Sequence, residues 1–210
     1  MHPTPKYRIT DEQRTSVYEP ADDTFLLLDA LEEDIEALRK LDPVVVIEIG
    51  SGSGVVSAFC QQLLRQPVIN FATDMNFYAL KCTQNTAQLN NVLVETVQCD
   101  LMRAIDHRLR NQVDVLLFNP PYVATEQEAT SDAERCWAGG PTGHNVVDRV
   151  FAQLPEILSL GGFFYVVALE ANDISKMLNC MNSLNFSSKV LLNRRCGIEH
   201  LFVLKFTRCK

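Results

Sequence analysis

The chain has 210 residues, of which 47% are hydrophobic and 21% are charged, as is typical of one soluble globular domain. Its formal net charge is −7, which disfavours direct nucleic-acid binding because such proteins need a basic surface. No apolar run reaches the roughly 18 residues of a membrane-spanning helix.

The seven cysteines have no Cys-x-x-Cys spacing, so neither a zinc site nor a redox motif is expected. The sequence also shows no signal peptide. We therefore expect reduced thiols and a location in the cytoplasm, with the nucleus as a second compartment.

Residues 1–16 are polar and without a regular period, so we expect a flexible N-terminal arm before a single domain over residues 17–210. Pro20 and the two aspartates that follow it mark the start of a helix. Apolar residues at helical spacing continue this helix, and it is expected to end by Pro43.

The run 44–49 has five apolar residues and one acid, which predicts a strand buried on both faces. Glycines follow at 50, 52 and 54, and a helix is predicted from Val55. The spacing is neither the dinucleotide fingerprint nor a P-loop. Such a loop allows the backbone to approach a ligand closely.

Strands and helices then alternate along the chain. After the helix at 55–65, strands are predicted at 68–73, 92–99 and 113–118, with a helix at 76–89 and an uncertain turn or helix at 101–111. Beyond a long polar connection at 123–142, we predict a helix at 144–159, a strand at 162–169, a helix at 172–184 and strands at 186–194 and 199–206. This order predicts an α/β fold with a doubly wound parallel sheet and an antiparallel pair at its end.

Polar residues stand at or near the ends of four successive strands: Glu48, Asp74, Asp100 and Asn119. Ligands bind beyond the carboxyl ends of such strands. Asp74 either binds a ribose or caps the next helix, and Asp100 either accepts from a purine amine or is a turn residue. Glu48 would anchor the glycine-loop amides or meet a cationic group of the ligand, because a buried acid needs a partner.

A cofactor with adenosine but no pyrophosphate fits this pattern, and S-adenosylmethionine is such a cofactor. Its ribose would meet Asp74, its adenine Asp100, and its methionine end the glycine loop and Glu48. Thr24, at the start of the first helix, either covers the methionine part or caps the helix.

Two prolines end the strand at 113–118, since both fix φ and neither has an N–H. The side-chain oxygen of Asn119 and the carbonyl of Pro120 can accept both hydrogens of a planar nitrogen, which stabilises positive charge as a methyl group is transferred. We therefore predict Asn119, Pro120 and Tyr122 as catalytic residues, and Asn119, Pro121 and Tyr122 as substrate contacts. Tyr122 would pack on the flat target group.

These stretches resemble a known family. Residues 48–54 look like the first motif of class I S-adenosylmethionine-dependent methyltransferases, and 119–122 are similar to the signature of enzymes that methylate exocyclic or amide nitrogen. Residues 18–24 and 137–140 narrow the resemblance to eukaryotic and archaeal HemK-type methyltransferases. These enzymes modify the glutamine of the Gly-Gly-Gln motif in the class I translation release factor.

The resemblance implies a seven-stranded, mostly parallel sheet with strand order 3-2-1-4-5-7-6 and an antiparallel strand 7. It implies N5-methylation of the release-factor glutamine, with S-adenosylhomocysteine as the product. By position, it implies cofactor contacts at Thr24, Glu48, Gly50, Gly52, Asp74, Asp100, Leu101 and Asn119. The arm before Val17 lacks the glycine- and histidine-containing segment expected of the family.

The resemblance also implies an obligate partner, a small zinc-binding activator that pairs with the edge of the sheet. Residues 92–97 should form an edge strand, yet they contain one charge and no lysine or proline. Exposed edges normally carry such blocking residues. The alternative is a short strand that a loop covers.

Three other functions stay open. Methylation of a lysine, for example on a histone, keeps the cofactor and changes the target. Methylation of adenine N6 shares the Asn-Pro-Pro-Tyr signature, but the acidic charge and the lack of a DNA-reading domain disfavour it. A binding protein without catalysis is disfavoured by the intact strand-end residues. Trp137 either touches the substrate or packs its loop.

Overall fold

The structure is a computed structural model that describes residues 2–123, 125, 134, 137–140, 143 and 145–210. Within these residues the helices are α1 (Asp22–Glu33), α2 (Ile35–Leu41), α3 (Val55–Leu64), α4 (Phe77–Leu89), α5 (Asn145–Ile157) and α6 (Ile174–Ser183). The strands are β1 (Val45–Ile49), β2 (Ile69–Asp74), β3 (Glu95–Gln98), β4 (Val113–Phe118), β5 (Leu158–Leu169), β6 (Phe186–Cys196) and β7 (Glu199–Arg208). None of the described helices is long and apolar enough to cross a membrane.

The described strands form one seven-stranded sheet in the order β3-β2-β1-β4-β5-β7-β6. Neighbours from β3 to β5 pair in parallel, and β7 runs antiparallel to both β5 and β6. The predicted α/β class, strand order and antiparallel seventh strand are thus confirmed.

Helices cover both faces of the sheet, which is why every residue of β1 is buried. Successive side chains of a strand point to opposite faces, so β1 and β4 divide between two apolar clusters. Ile47 and Leu116 pack with α5 and α6 in one cluster. Val46 and Leu117 pack with α1, α2 and α3 in the other. We call these the α5 face and the α1 face.

Three predicted elements differ clearly from the structure, and one of them is β5, which begins at Leu158 and not at residue 162. The helix expected to end by Pro43 is divided at Asp34 into α1 and α2. A buried side-chain contact fixes this turn, because the Asp34 carboxylate accepts from the hydroxyl of Tyr165 at 2.6 Å and from the ammonium of Lys205. The strand expected over 92–99 is shorter, since parallel pairing with β2 begins only at Glu95.

The N-terminal segment contacts two helices. Ile9 is buried with Ala79 and Cys82 of α4, and the backbone N–H of His2 donates to Glu32 of α1 at 2.5 Å. The flexibility of residues 1–16 and the domain boundary at residue 17 stay predictions.

The buried Asp34–Lys205 pair predicts a large effect on stability. Lys205 is 4% exposed, and its ammonium lies 3.4 Å from the ring centroid of Phe163. Asp34→Ala would leave this cation without its counter-charge, so we expect the free energy of unfolding to fall by about 3–5 kcal/mol. Urea unfolding measures the change.

Lys189→Met is the matched control. The ammonium of Lys189 also pairs with Asp34, at 3.7 Å, but its side chain is 55% exposed. An exposed pair contributes at most about 1 kcal/mol. Equal effects of the two substitutions would contradict a special role for the buried pair.

Candidate active site

A cavity of about 610 Å³ opens at the carboxyl ends of β1 to β4, within the range of roughly 300–1,000 Å³ usual for small-molecule sites. Loops that follow four different strands meet here because parallel strands end at the same edge of the sheet. All the predicted cofactor contacts line it, namely Thr24, Glu48, Gly50, Gly52, Asp74, Asp100, Leu101 and Asn119, as do Pro120 and Pro121.

The glycine loop uses conformations that side chains disfavour. Gly50 and Gly54 have φ of +65° and +77°, in the left-handed region that glycine tolerates best. A Cβ at Gly54 would also lie only 2.6 Å from the Cα of Thr83 in α4. Glycine at this position therefore allows α3 to begin directly against α4.

Glu48 is buried behind the glycine loop. Its carboxylate accepts from the backbone N–H of Ser57 at 2.9 Å and from the hydroxyl of the same residue. The backbone amide that it anchors thus belongs to α3 and not to the glycine loop. Burial, with a smaller contribution from the charge of Asp74, raises the pKa of Glu48 to about 8. A cation in the cavity would favour its ionised form.

Asp74 and Asp100 have partners within the protein. The two carboxylate oxygens of Asp74 accept from the backbone N–H groups of Gly52, at 3.0 Å, and Asn76, at 2.9 Å. Asp74 therefore fixes the glycine loop and the start of α4 while it lines the cavity. Asp100 pairs with Arg149 of α5. Since a carboxylate offers about four lone-pair sites, both acids can still accept from a ligand.

Leu101 follows Asp100 with φ of +52°. Residues with side chains seldom adopt this conformation, and it is concentrated at functional sites. Leu101 is also buried and lines the cavity, so a tertiary constraint holds it there.

Asn119 has one satisfied and one unsatisfied end. Its amide nitrogen donates to Asp23 at 3.1 Å. Its side-chain oxygen is buried and has no hydrogen-bond partner among the described residues. A buried acceptor without a donor costs about 1–3 kcal/mol. Of the five such side-chain atoms among the described residues, the Asn119 oxygen is the one that belongs to a residue of the cavity wall. The arrangement suits a ligand that donates a hydrogen bond.

Tyr122 lies elsewhere than the sequence predicted. It is not among the residues that line the cavity, and its buried ring packs on the α1 face. Its hydroxyl donates to Asp23 at 3.1 Å. The core encloses this ring. In this structure Tyr122 therefore does not pack on a group bound in the cavity, contrary to the prediction.

Asp23 and Tyr18 are site residues that the sequence analysis missed. Both line the cavity, and the Tyr18 hydroxyl donates to Asp23 at 3.0 Å. Asp23 was interpreted as a helix-start residue, which it also is. Its contact with Asn119 spans 96 positions, and no local pattern in the sequence signals such a contact.

Thr24 accepts from the backbone N–H of Ala21 at 3.4 Å, as a helix-capping side chain does. The connection at 123–142 lies mostly outside the described residues. Of its described part, Ala138, Gly139 and Gly140 line the cavity, whereas Trp137 is 44% exposed and does not.

The described lining includes no histidine and no lysine, and no described cluster of His, Cys, Asp or Glu could hold a metal ion. The described wall instead provides oxygen acceptors, together with the guanidinium of Arg149. Such a wall can position a polar ligand and stabilise positive charge.

Comparisons with known proteins agree with this geometry. The family model described as "Methyltransferase small domain" matches residues 22–190. The chain is 42% identical to "Methyltransferase HEMK2" of Homo sapiens, over 92% of this chain and 91% of that protein. It is 39% identical to "eRF1 methyltransferase catalytic subunit mtq2" of Schizosaccharomyces pombe, over 91% of this chain and 89% of that protein.

A solved structure is also similar. It is the E. cuniculi Mtq2–Trm112 complex, described as responsible for the methylation of the translation termination factor eRF1. The two chains share 26% identity with a TM-score of 0.69, over 92% of this chain and 99% of that chain.

The raised pKa of Glu48 predicts a pH-dependent stability. The folded state binds this proton more tightly than the unfolded state, in which the pKa is near 4.5. Folding is therefore penalised progressively as pH rises from about 5 to 8. Glu48→Gln removes the penalty, so we expect the wild type to lose up to about 1.4 kcal/mol per pH unit relative to this variant.

Urea unfolding of both proteins at pH 5, 6, 7 and 8, without ligand, measures this difference. A difference that stays constant over the series would show that Glu48 is ionised throughout.

Proposed function

Since the chain belongs to the family of the methyltransferase small domain, we propose that it transfers a methyl group from S-adenosylmethionine to the N5 nitrogen of the glutamine in the Gly-Gly-Gln motif of the class I translation release factor. The S. pombe relative is named as the catalytic subunit of an eRF1 methyltransferase, and the E. cuniculi complex is described as responsible for the methylation of eRF1. The observation that carries the chemistry is the buried, unpartnered side-chain oxygen of Asn119 in the cavity wall.

A glutamine side-chain nitrogen is a poor nucleophile, because its lone pair is delocalised into the carbonyl group. It also has two hydrogens that need acceptors when it is buried. The Asn119 oxygen accepts one of them and the carbonyl of Pro120 accepts the other. These contacts fix the direction of the lone pair and stabilise the positive charge that develops on the nitrogen.

The residues of the cavity fit S-adenosylmethionine, which supplies an electrophilic methyl group when bound. Asp74 and Asp100 provide carboxylate acceptors for hydroxyl and amine groups, at the ends of β2 and β3. Glu48 provides a buried acid whose ionised form a cation favours. The glycine loop lines the cavity, and Asp74 holds its Gly52 amide at 3.0 Å.

The methylated nitrogen would be positively charged and would release one of its two protons to water. Since an N-protonated amide is a strong acid, the reaction needs no strong general base in this proposal. Positioning of the amide and electrostatic stabilisation provide the rate acceleration. This agrees with a described cavity lining that offers oxygen acceptors and no histidine or lysine.

We also propose that the chain works as the catalytic subunit of a heterodimer with a small zinc-binding activator. The E. cuniculi relative was solved in complex with Trm112. In this chain β3 is an edge strand of four residues, and Leu93 just before it is 84% exposed. A partner strand that pairs with β3 would satisfy the edge and cover this leucine.

The proposed location is the cytoplasm, where the release factor acts, with the nucleus as a second compartment.

Asn119→Ala tests the central contact. The substitution removes the acceptor for the target nitrogen, so we expect kcat for methylation of the release factor to fall by about 10²–10³-fold, as for other transition-state hydrogen-bond partners. Binding of S-adenosylmethionine, measured by calorimetry, should change little. Wild-type activity of this variant would refute the role of Asn119.

The assay uses the chain with its activator, labelled cofactor and purified release factor. Histone and DNA are the control substrates, because lysine and adenine N6 are the alternative targets. Label in histone or DNA and not in the release factor would overturn the proposed function.

Leu93→Asp tests the partner surface. A charge beside β3 should weaken association with the activator by at least about tenfold, because an apolar contact is lost and a carboxylate is desolvated. Leu160→Asp is the matched control, since Leu160 is 60% exposed and lies in a different strand, β5. The chain expressed alone should be poorly soluble.

If the Leu93 and Leu160 variants bind the activator with equal affinity, the activator does not bind at β3. A soluble and fully active isolated chain would contradict the need for a partner.

A further inference from the structure

The buried carboxylate of Asp23 connects the segment before α1, the first turn of α1 and the loop after β4. Asp23, in the first turn of α1, is 3% exposed. One of its oxygens accepts from the hydroxyls of Tyr18 and Tyr122 and from the amide nitrogen of Asn119, at 3.0, 3.1 and 3.1 Å. The other accepts from the backbone N–H and the hydroxyl of Thr24, at 2.5 and 3.2 Å. The carboxylate is thus held by donors on both oxygens.

This arrangement decides which way the Asn119 amide points. The two ends of an amide have nearly the same shape but opposite hydrogen-bonding roles. An ionised carboxylate only accepts, so the nitrogen of Asn119 must face Asp23. Turning the amide by 180° would bring its oxygen against a carboxylate oxygen and lose the hydrogen bond. The acceptor end is therefore left for a ligand, in agreement with its lack of a described partner.

We propose that Asp23 is a positioning residue for methyl transfer and acts through Asn119. A negative charge behind the Asn119 nitrogen also shifts electron density toward its oxygen, because hydrogen bonds in a chain polarise one another. The oxygen then holds the hydrogen of the target nitrogen more strongly as positive charge develops there. This inference rests on the proposed transfer to an amide nitrogen.

The usual role of an aspartate in the first turn of a helix does not account for Asp23. Such residues complement the helix dipole, commonly from the surface. The neighbouring Asp22 is exposed in the same turn and already supplies that charge. The Asp23 side chain instead points into the protein interior. Burying a carboxylate there costs free energy unless hydrogen-bond donors surround it.

Tyr122 belongs to the same hydrogen-bond network, because its hydroxyl donates to Asp23. Burial and the charge of Asp23 raise its pKa above the ordinary value, so the hydroxyl keeps its proton and stays a donor. The tyrosine of the Asn-Pro-Pro-Tyr stretch thus holds the residue that orients the asparagine of the same stretch.

Asp23→Asn and Asp22→Asn form a matched pair, because each removes one negative charge from the first turn of α1. Both are purified with the activator and compared in kcat and KM for the release factor. Loss of one charge-assisted hydrogen bond predicts a fall in kcat of about 10–100-fold for Asp23→Asn. Asp22→Asn should stay within about twofold of the wild type.

A spectroscopic readout is independent of turnover. The ¹⁵N side-chain amide signal of Asn119, assigned by its loss in Asn119→Asp, should shift in Asp23→Asn and not in Asp22→Asn. Affinity for S-adenosylmethionine should stay within about threefold in both variants. Asp23→Ser is a second neutral variant, in which no new amide competes for the donors, and it should reproduce the fall in kcat.

The inference is overturned if kcat of Asp23→Asn and Asp23→Ser stays within about threefold of the wild type, or if the Asn119 signal does not move. It is also overturned if both variants lose cofactor binding or thermal stability in proportion to activity, since that outcome indicates a structural role. If the wild type does not methylate the release factor, the proposed function fails, while the Asn119 signal still decides the role of Asp23.

Discussion

The parallel pairing of β3, β2, β1 and β4 is the constraint on which the candidate site depends. Parallel strands end at the same edge of a sheet, so polar residues that are far apart in sequence meet around one cavity. Helices on both faces exclude water from the sheet, so each buried polar group needs a hydrogen-bond partner within the protein. The contacts of Glu48 with Ser57 and of Asp74 with the glycine loop provide such partners.

In the described part of the cavity wall, one side-chain acceptor is buried without a hydrogen-bond partner. The structure satisfies the nitrogen of Asn119 through Asp23 and leaves its oxygen without a described partner. An enzyme that must bind a planar nitrogen needs such an oriented and unoccupied acceptor, since reorganisation during the reaction would cost rate. In the proposed mechanism, the hydroxyls of Tyr18 and Tyr122 that donate to Asp23 would keep this acceptor in a fixed orientation.

Outside the cavity lining, another buried carboxylate shapes the fold by the same rule. Asp34 is surrounded by Tyr165 and Lys205 on the sheet and marks the division between α1 and α2. The periodicity of the apolar residues predicted one helix here, because helical spacing continues through the division. Tertiary contacts with β5 and β7 overrode this local preference.

The sequence by itself determined the α/β class and the polar strand-end residues of the cavity, because apolar periodicity, glycine spacing and strand-end acids are local patterns. The strand order followed from the resemblance of its motifs to a known family. Only the tertiary structure decided that Tyr122 is enclosed by the core, that Glu48 anchors α3, and that Asp23 contacts Asn119. The physical reason is that these contacts join segments distant in sequence. The pairing of donors and acceptors between such segments depends on how whole helices and strands pack. No local sequence pattern predicts it.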